Sequence, residues 1–330
     1  MKMFGQRLPL WITIVPLLAG LLAYALWWKG KLDLYRAETR PWLGAGALYG
    51  GFPYRLQADA GPVTRTLAGA DTRLTLSAAR VTVDRQPWQA SLSVIGFTGP
   101  KLDAAAPGLG GARAGILAAR GRASIDTAFG RIVRLSSEFT DAIVTLGILP
   151  MQVTVGQFEV HVRETPVAPI LLPTGPKMPA QAEVVVRGET VRLGGGDALA
   201  LEARLAVTSS SPLRSARGWA AGAGTVELQR LTLGDAHGIV VDANATIVPG
   251  PGRGLRVTGT LTTVCPSSVL AAMAGKEALR EFRARVPLHI AFGGPIGAVV
   301  PMTNLAALGR FGVRAQEATC PVLRLAVPHP

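Results

Sequence analysis

From about residue 48 onward, apolar and polar residues alternate with a period of two, in runs punctuated by Gly, Pro, Asn and Asp. That pattern predicts antiparallel strands with one buried face. The clearest unit lies between Gly238 and Val264. Ile239, Val241, Ala243, Ala245 and Ile247 alternate with Asp242, Asn244 and Thr246. After a turn over Pro249 to Gly254, Leu255, Val257 and Leu261 alternate with Arg256, Thr258, Thr260 and Thr262. This is a long β-hairpin. Leu199, Leu201, Ala203, Leu205 and Val207 likewise share one side of an extended segment.

Three runs change phase midway: Leu74, Leu76 and Ala78 give way to Ala79, Val81 and Val83; Met151, Val153 and Val155 to Phe158, Val160 and Val162; Val226 and Leu228 to Leu231 and Leu233. A one-residue slip is what a β-bulge leaves in a sequence, and repeated bulges imply a curved sheet. The competing reading is that each run is two short strands. Helix is scarce after the N-terminal region. Ser267 to Arg285 is one candidate, with Ser267 or Ser268 as cap and Leu270, Met273, Ala274, Leu279 and Phe282 on its apolar face. Five prolines between Thr165 and Gln181 suit either a lobe boundary or a long surface loop.

The N-terminal pattern differs. Leu8 to Trp28 carries no charge, and at about 1.5 Å per residue it makes a rod of roughly 31 Å, the thickness of a hydrocarbon core. It reads as a spanning helix, with Trp27, Trp28, Lys29 and Lys31 as its interfacial end. The alternative is a cleaved secretory signal, since Ala23-Tyr24-Ala25 has the small-x-small form of a cleavage site. Lys31 to Arg40 is a short charged amphipathic segment that Pro41 is expected to end. More basic residues follow the apolar run than precede it, which favours a cytoplasmic domain. A short tail before the first apolar segment and a long domain after it favour export.

The expected architecture is mainly β, of curved antiparallel sheet or sheets with one or two helices, preceded by an N-terminal transmembrane helix. Its parts are a cytoplasmic tail (1–7), a signal-anchor helix (8–28), a membrane-proximal segment (29–47), a β-rich lobe (48–165), a Pro-rich connection (166–181) and a second β-rich lobe (182–330).

With 48% hydrophobic and 17% charged residues over 330 positions, the chain can bury a substantial core. The net charge of +13 is scattered rather than clustered with aromatics, so nucleic acid is not an expected partner. Attraction to anionic lipid head groups is its expected consequence. Cys265 and Cys320, each followed by Pro, can form a disulfide in an oxidising compartment or remain buried thiols.

The search for chemistry returns little. His161, His237, His289 and His329 stand at no metal-ligand spacing, and no nucleophile elbow, Walker loop or zincin motif occurs. Gly194-Gly195-Gly196-Asp197 lacks the Lys-Ser/Thr of a phosphate loop and reads as a turn. No catalytic residue, metal or cofactor is expected.

One local motif stands out: Gly50-Gly51-Phe52-Pro53-Tyr54-Arg55, read as opening the first strand, with Phe52 plugging the end of a core and Pro53 blocking pairing. This motif after an N-terminal membrane helix, with the continuation Arg73-Leu74-Thr75-Leu76-Ser77-Ala78, resembles the Gram-negative envelope domain-of-unknown-function family 2125. The segment before the motif departs from the family's pattern, because Pro41 and Gly44 interrupt what is normally a longer helix. The hairpin and the segment after it are similar to AsmA-like β-domains. The resemblance implies a single-pass inner-membrane protein with most of its chain in the periplasm and an apolar sheet face that can hold acyl chains.

Two functions are therefore expected. One is binding or handling of phospholipid or glycolipid on the strand face carrying Ile239, Val241, Ile247, Leu255, Val257 and Leu261. The other is a structural or assembly role in contact with other envelope proteins.

Overall fold

The computed structural model describes residues 11–109, 112–147, 152–165, 169–171, 177–210, 215–250, 254–274, 276, 280–302 and 315–323. One helix, α1 (Trp11–Leu43), opens the chain. It runs through the expected break at Pro41. Trp28, Leu32, Tyr35, Thr39 and Leu43 recur at helical spacing, and all but Thr39 pack into the first core, where Trp28 and Tyr35 are buried. A proline in the last turn forfeits one ladder bond, and the packing of this stripe outweighs it. Gly44, at φ +92°, ends the helix with its N–H on the Arg40 carbonyl. Among the described residues no helix is long and apolar enough to cross a membrane. The run from Leu8 begins outside the described residues.

The strands follow as β1 (Leu48–Gly50), β2 (Leu56–Ala60), β3 (Val63–Ala68), β4 (Arg73–Ala78), β5 (Arg80–Gln86), β6 (Gln89–Thr98), β7 (Lys101–Ala106), β8 (Ala112–Leu117), β9 (Arg120–Ala128), β10 (Arg131–Leu146) and β11 (Gln152–Glu164). Then come β12 (Pro169–Leu171), β13 (Lys177–Leu193), β14 (Leu199–Thr208), helix α2 (Ala216–Ala221), β15 (Thr225–Asp235), β16 (Gly238–Pro249) and β17 (Leu255–Thr263). Helix α3 (Pro266–Met273), β18 (Phe282–Ala284), β19 (Leu288–Pro295), β20 (Val300–Pro301) and β21 (Ala315–Thr319) complete the chain. All but β18 and β21 join one antiparallel sheet.

That sheet is a single up-and-down meander. The pairs β2/β3, β4/β5, β6/β7 and β8/β9 are each one long strand broken in the middle, because β2 pairs β5 while β3 pairs β4, and β6 pairs β9 while β7 pairs β8. Unbroken β10 takes β9 along its first part and β8 along its last. The phase slip between Leu74 and Val83 is therefore a break between two strands. The same line continues through β10, β11 and β13 at Asp141 (φ +52°), Gly156 and Thr190 (φ +57°), where the ladders skip pairs. One crease thus crosses seven neighbouring strands, counting each broken pair as one. A separate bulge in β15, between Leu228 and Leu231, produces the third slip.

The strands flanking 166–181 pair with each other, β11 against β13 over residues 153–164, and Pro169–Leu171 pairs back on Lys177–Pro179. In the ladder this segment is a connection within one sheet. The helix expected over 267–285 is shorter: α3 stops at Met273, and Phe282–Ala284 is a strand. Its N-cap position is Cys265 rather than a serine, with Pro266 in the first turn. Helix α2, capped by the Ser215 side chain on the Gly218 N–H, has no counterpart in the sequence reading.

Candidate functional site

Strand register carries one apolar row across the whole sheet. Ala58, Val83, Ile95, Ala123, Ser137, Val160, Val186, Ala203, Leu231, Ala243, Leu261 and Ile290 are successive cross-strand partners. Only Ser137 interrupts it. A parallel row two residues along each strand, or three across the bulge in β15, includes Leu135, Val162, Val184, Leu205, Leu228, Ala245, Gly259 and Phe292. Glu159, Arg187, Glu202, Asp242 and Thr262, one residue out of phase with the first row, face the other way.

This inner face is covered at its two ends. Helix α1 lies on Leu56, Ala58, Val81 and Val83. Helix α3 and Leu323 lie on Val240, Leu261 and Ile290. Between them Val160, Val162, Val184, Val186, Leu205, Leu228 and Leu231 remain half-buried. An aliphatic strip several strands wide is therefore left without a full protein cover.

The sheet curls around that strip. Twist of roughly 20–25° per neighbouring pair accumulates to nearly half a turn between β4 and β15. The turn after β3 thereby reaches the loop between β14 and β15, which leaves the opposite ends of the strands. There the buried Asp71 carboxylate accepts the backbone N–H groups of Ala216 (3.0 Å) and Arg217 (2.5 Å), 145 and 146 residues away. Beside this latch Thr72, Leu109, Val207, Trp219, Val226, Ile247, Leu255 and Ile296 line an apolar cavity of about 490 Å³. Trp219 is fixed by its indole N–H on the Thr208 carbonyl. Replacing Asp71 by Ala strands two donors at the start of α2, so urea unfolding of Asp71→Ala is expected to show a loss of about 2 kcal/mol.

Of the hairpin residues singled out in the sequence, Val241, Val257 and Leu261 are buried, whereas Ile247 and Leu255 line the cavity. Ile239 does not share their environment: it is 50% exposed and Val240 is fully buried in its place. The cause is a register shift between Leu233 and Gly234, opposite Val241 and Ile239.

The Gly50 to Arg55 motif is a turn between β1 and β2 rather than a strand opening. Gly51 has φ +102°, where a Cβ would lie 2.6 Å from the Arg55 carbonyl oxygen, so only glycine fits. Phe52 does not plug a core. It is 55% exposed and meets Trp28 edge-on at 5.1 Å. The Tyr24 hydroxyl donates to the Pro53 carbonyl at 2.6 Å, and the Trp28 indole to the Arg55 carbonyl at 3.1 Å. The motif is thus the socket of α1. Farther along the helix Tyr35 donates to the Val83 carbonyl, and Arg85 forms a bidentate pair with Glu38.

Cys265 and Cys320 form a disulfide at the α3 end. The glycine turn after β13 holds the C-terminal segment: Asp197 exchanges hydrogen bonds with the Val322 backbone, and a Cβ on Gly196 would lie 2.4 Å from the Val322 oxygen. Among the described residues no group of three His, Cys, Asp or Glu side chains is placed to hold a metal ion. His161 faces Glu159, and His289 bonds Thr262, both as strand neighbours. His329 lies outside the described residues. The polar face carries a cleft of about 980 Å³ bordered by Arg73, Asp103, Arg113 and Thr145. Comparison with protein-family models, with curated proteins and with solved structures finds no match.

Proposed function

We propose that this chain is a membrane-anchored envelope protein that binds or handles phospholipid or glycolipid on the inner face of its curled sheet, without a catalytic step. The observation that carries the reading is the continuous aliphatic strip, half-buried at its centre and walled by the latch between Asp71 and α2. An apolar strip of this extent is stabilised by a cover, and acyl chains supply one without demanding hydrogen bonds.

The anchor is α1. Leu17, Leu18, Leu21, Leu22 and Leu26 are each more than half exposed on successive faces of its first part. A helix apolar all round suits hydrocarbon rather than water. We place the part of α1 before Trp28 in the inner membrane, as a single span continuing the uncharged run from Leu8, with the sheet in the periplasm. A structural or assembly role has one observation in its favour: β3 pairs only with β4 among the described strands, leaving an edge on which another envelope protein can add a strand.

Native mass spectrometry of the full chain released from mild detergent tests lipid carriage. Near-stoichiometric phospholipid or glycolipid is expected on the wild type, with at least a fivefold loss in Leu205→Glu at unchanged circular dichroism. A lipid-free mass for the folded wild type contradicts lipid carriage and leaves the assembly role.

A further inference from the structure

The two ends of the meander differ in what their turns expose. At the end where α1 departs, the turn at 51–55 presents Phe52 and Tyr54, the turn at 87–88 presents Trp88, and the turn at 129–130 presents Phe129. Their exposures are 55%, 70%, 61% and 103%. These turns belong to β2, β5/β6 and β9/β10, which are neighbours in the sheet. At the other end, the described turn residues at 69–72, 107–109, 194–198 and 236–237 include no Phe, Tyr or Trp, and among the described residues of the β17–β19 connection at that end Phe282 alone is an exposed aromatic, at 58%.

Phe129 is placed against local preference. Phe129 and Gly130 have φ +52° and +71°, the two-residue hairpin turn that favours Asn-Gly or Asp-Gly. A large apolar side chain standing fully in water at positive φ gains nothing from the fold itself.

The helix marks the direction in which these tips point. Tyr24 and Trp28 contact the 51–55 turn, so the apolar residues before Tyr24 project past it. Lys29, Lys31 and Arg55 stand at the same level, and the Lys31 ammonium lies 5.8 Å from the Trp27 ring centroid. Aromatic rings mixed with basic side chains are the composition of a bilayer interface facing anionic head groups.

We propose that the turns carrying Phe52, Tyr54, Trp88 and Phe129 form a seat that rests on the phospholipid surface, standing the sheet upright on the bilayer with its inner face opening toward the lipid. This inference rests on the membrane-anchor reading above and adds a second, independent contact. The seat also accounts for why the aromatic residues stand at turns rather than in the core.

The test uses the full chain in nanodiscs of phosphatidylethanolamine and phosphatidylglycerol, with single spin labels at Trp88→Cys, Phe129→Cys, Leu18→Cys and Ala70→Cys. Labels at 88 and 129 are expected to be at least threefold more accessible to oxygen than to a water-soluble nickel chelate, as at 18, while 70 reads as aqueous. Aqueous readings at 88 and 129 with a lipid reading at 18 overturn the seat and leave the anchor standing. An aqueous reading at 18 overturns the anchor as well.

Discussion

Removing the Cys265–Cys320 disulfide in a Cys265→Ala/Cys320→Ala variant is expected to lower stability by about 4 kcal/mol, read from urea unfolding extrapolated to water, with a steeper slope as the unfolded chain expands. The bond joins residues 55 apart, and opening a loop of that length returns chain entropy to the unfolded state. Cys265 is fully buried beside Val269, Ile290 and Leu323, so the bond also secures the segment that covers one end of the apolar face. A loss below 1 kcal/mol would mean that the hydrogen bonds of Asp197 to Val322 and of Cys320 to Glu281 already hold that segment. The cover over Val240 would then not depend on the bond.

The second large effect is expected at Tyr35. Its ring is 2% exposed between α1 and the sheet, and its hydroxyl donates to the Val83 carbonyl at 2.8 Å. Tyr35→Ala is expected to cost about 4 kcal/mol through the cavity and the orphaned carbonyl. Tyr35→Phe is expected to cost about 1 kcal/mol. Burial pushes the Tyr35 hydroxyl above its ordinary range, with Arg85 opposing the shift. A folded-state pKa raised above that of the unfolded chain contributes stability below about pH 10, lost as pH rises beyond it. Stability of the wild type should therefore fall above pH 10, and Tyr35→Phe should flatten that part of the profile. Equal slopes for the two proteins would contradict the buried placement of this phenol.

Much of the sheet was legible because burial on one face imposes period-two alternation, and the hairpin of β16 and β17 follows it for most of its length. Where the alternation slipped, the sequence marked a real irregularity. It did not distinguish a bulge, as at Leu228 to Leu231, from a break, as at Ala79, because both shift phase by one residue. Ile239 was misplaced for the same reason: the extra residue of the shift is Val240 within β16, and three apolar residues in a row, Ile239-Val240-Val241, do not mark which one turns inward.

Pro41 misled because local rules end a helix there, whereas the packing of Trp28 and Tyr35 on strands far along the chain carries it onward. The latch was invisible. Asp71 and Ala216 are 145 residues apart, and only accumulated twist brings opposite strand ends together. The Gly50 to Arg55 motif was found as a pattern, but its partner, the face of α1 bearing Tyr24 and Trp28, has no spacing relation to it.

The central claim is that the inner strip contacts lipid while the outer face does not. Photo-crosslinking from p-benzoylphenylalanine tests it directly, introduced at Val186 on the strip and at Arg187, its neighbour on the opposite face of the same strand. In membranes from living cells, crosslinks to phospholipid or glycolipid are expected from position 186 and not from position 187. Crosslinks to protein alone from 186, or lipid crosslinks equal at the two positions, would contradict a lipid-holding inner face.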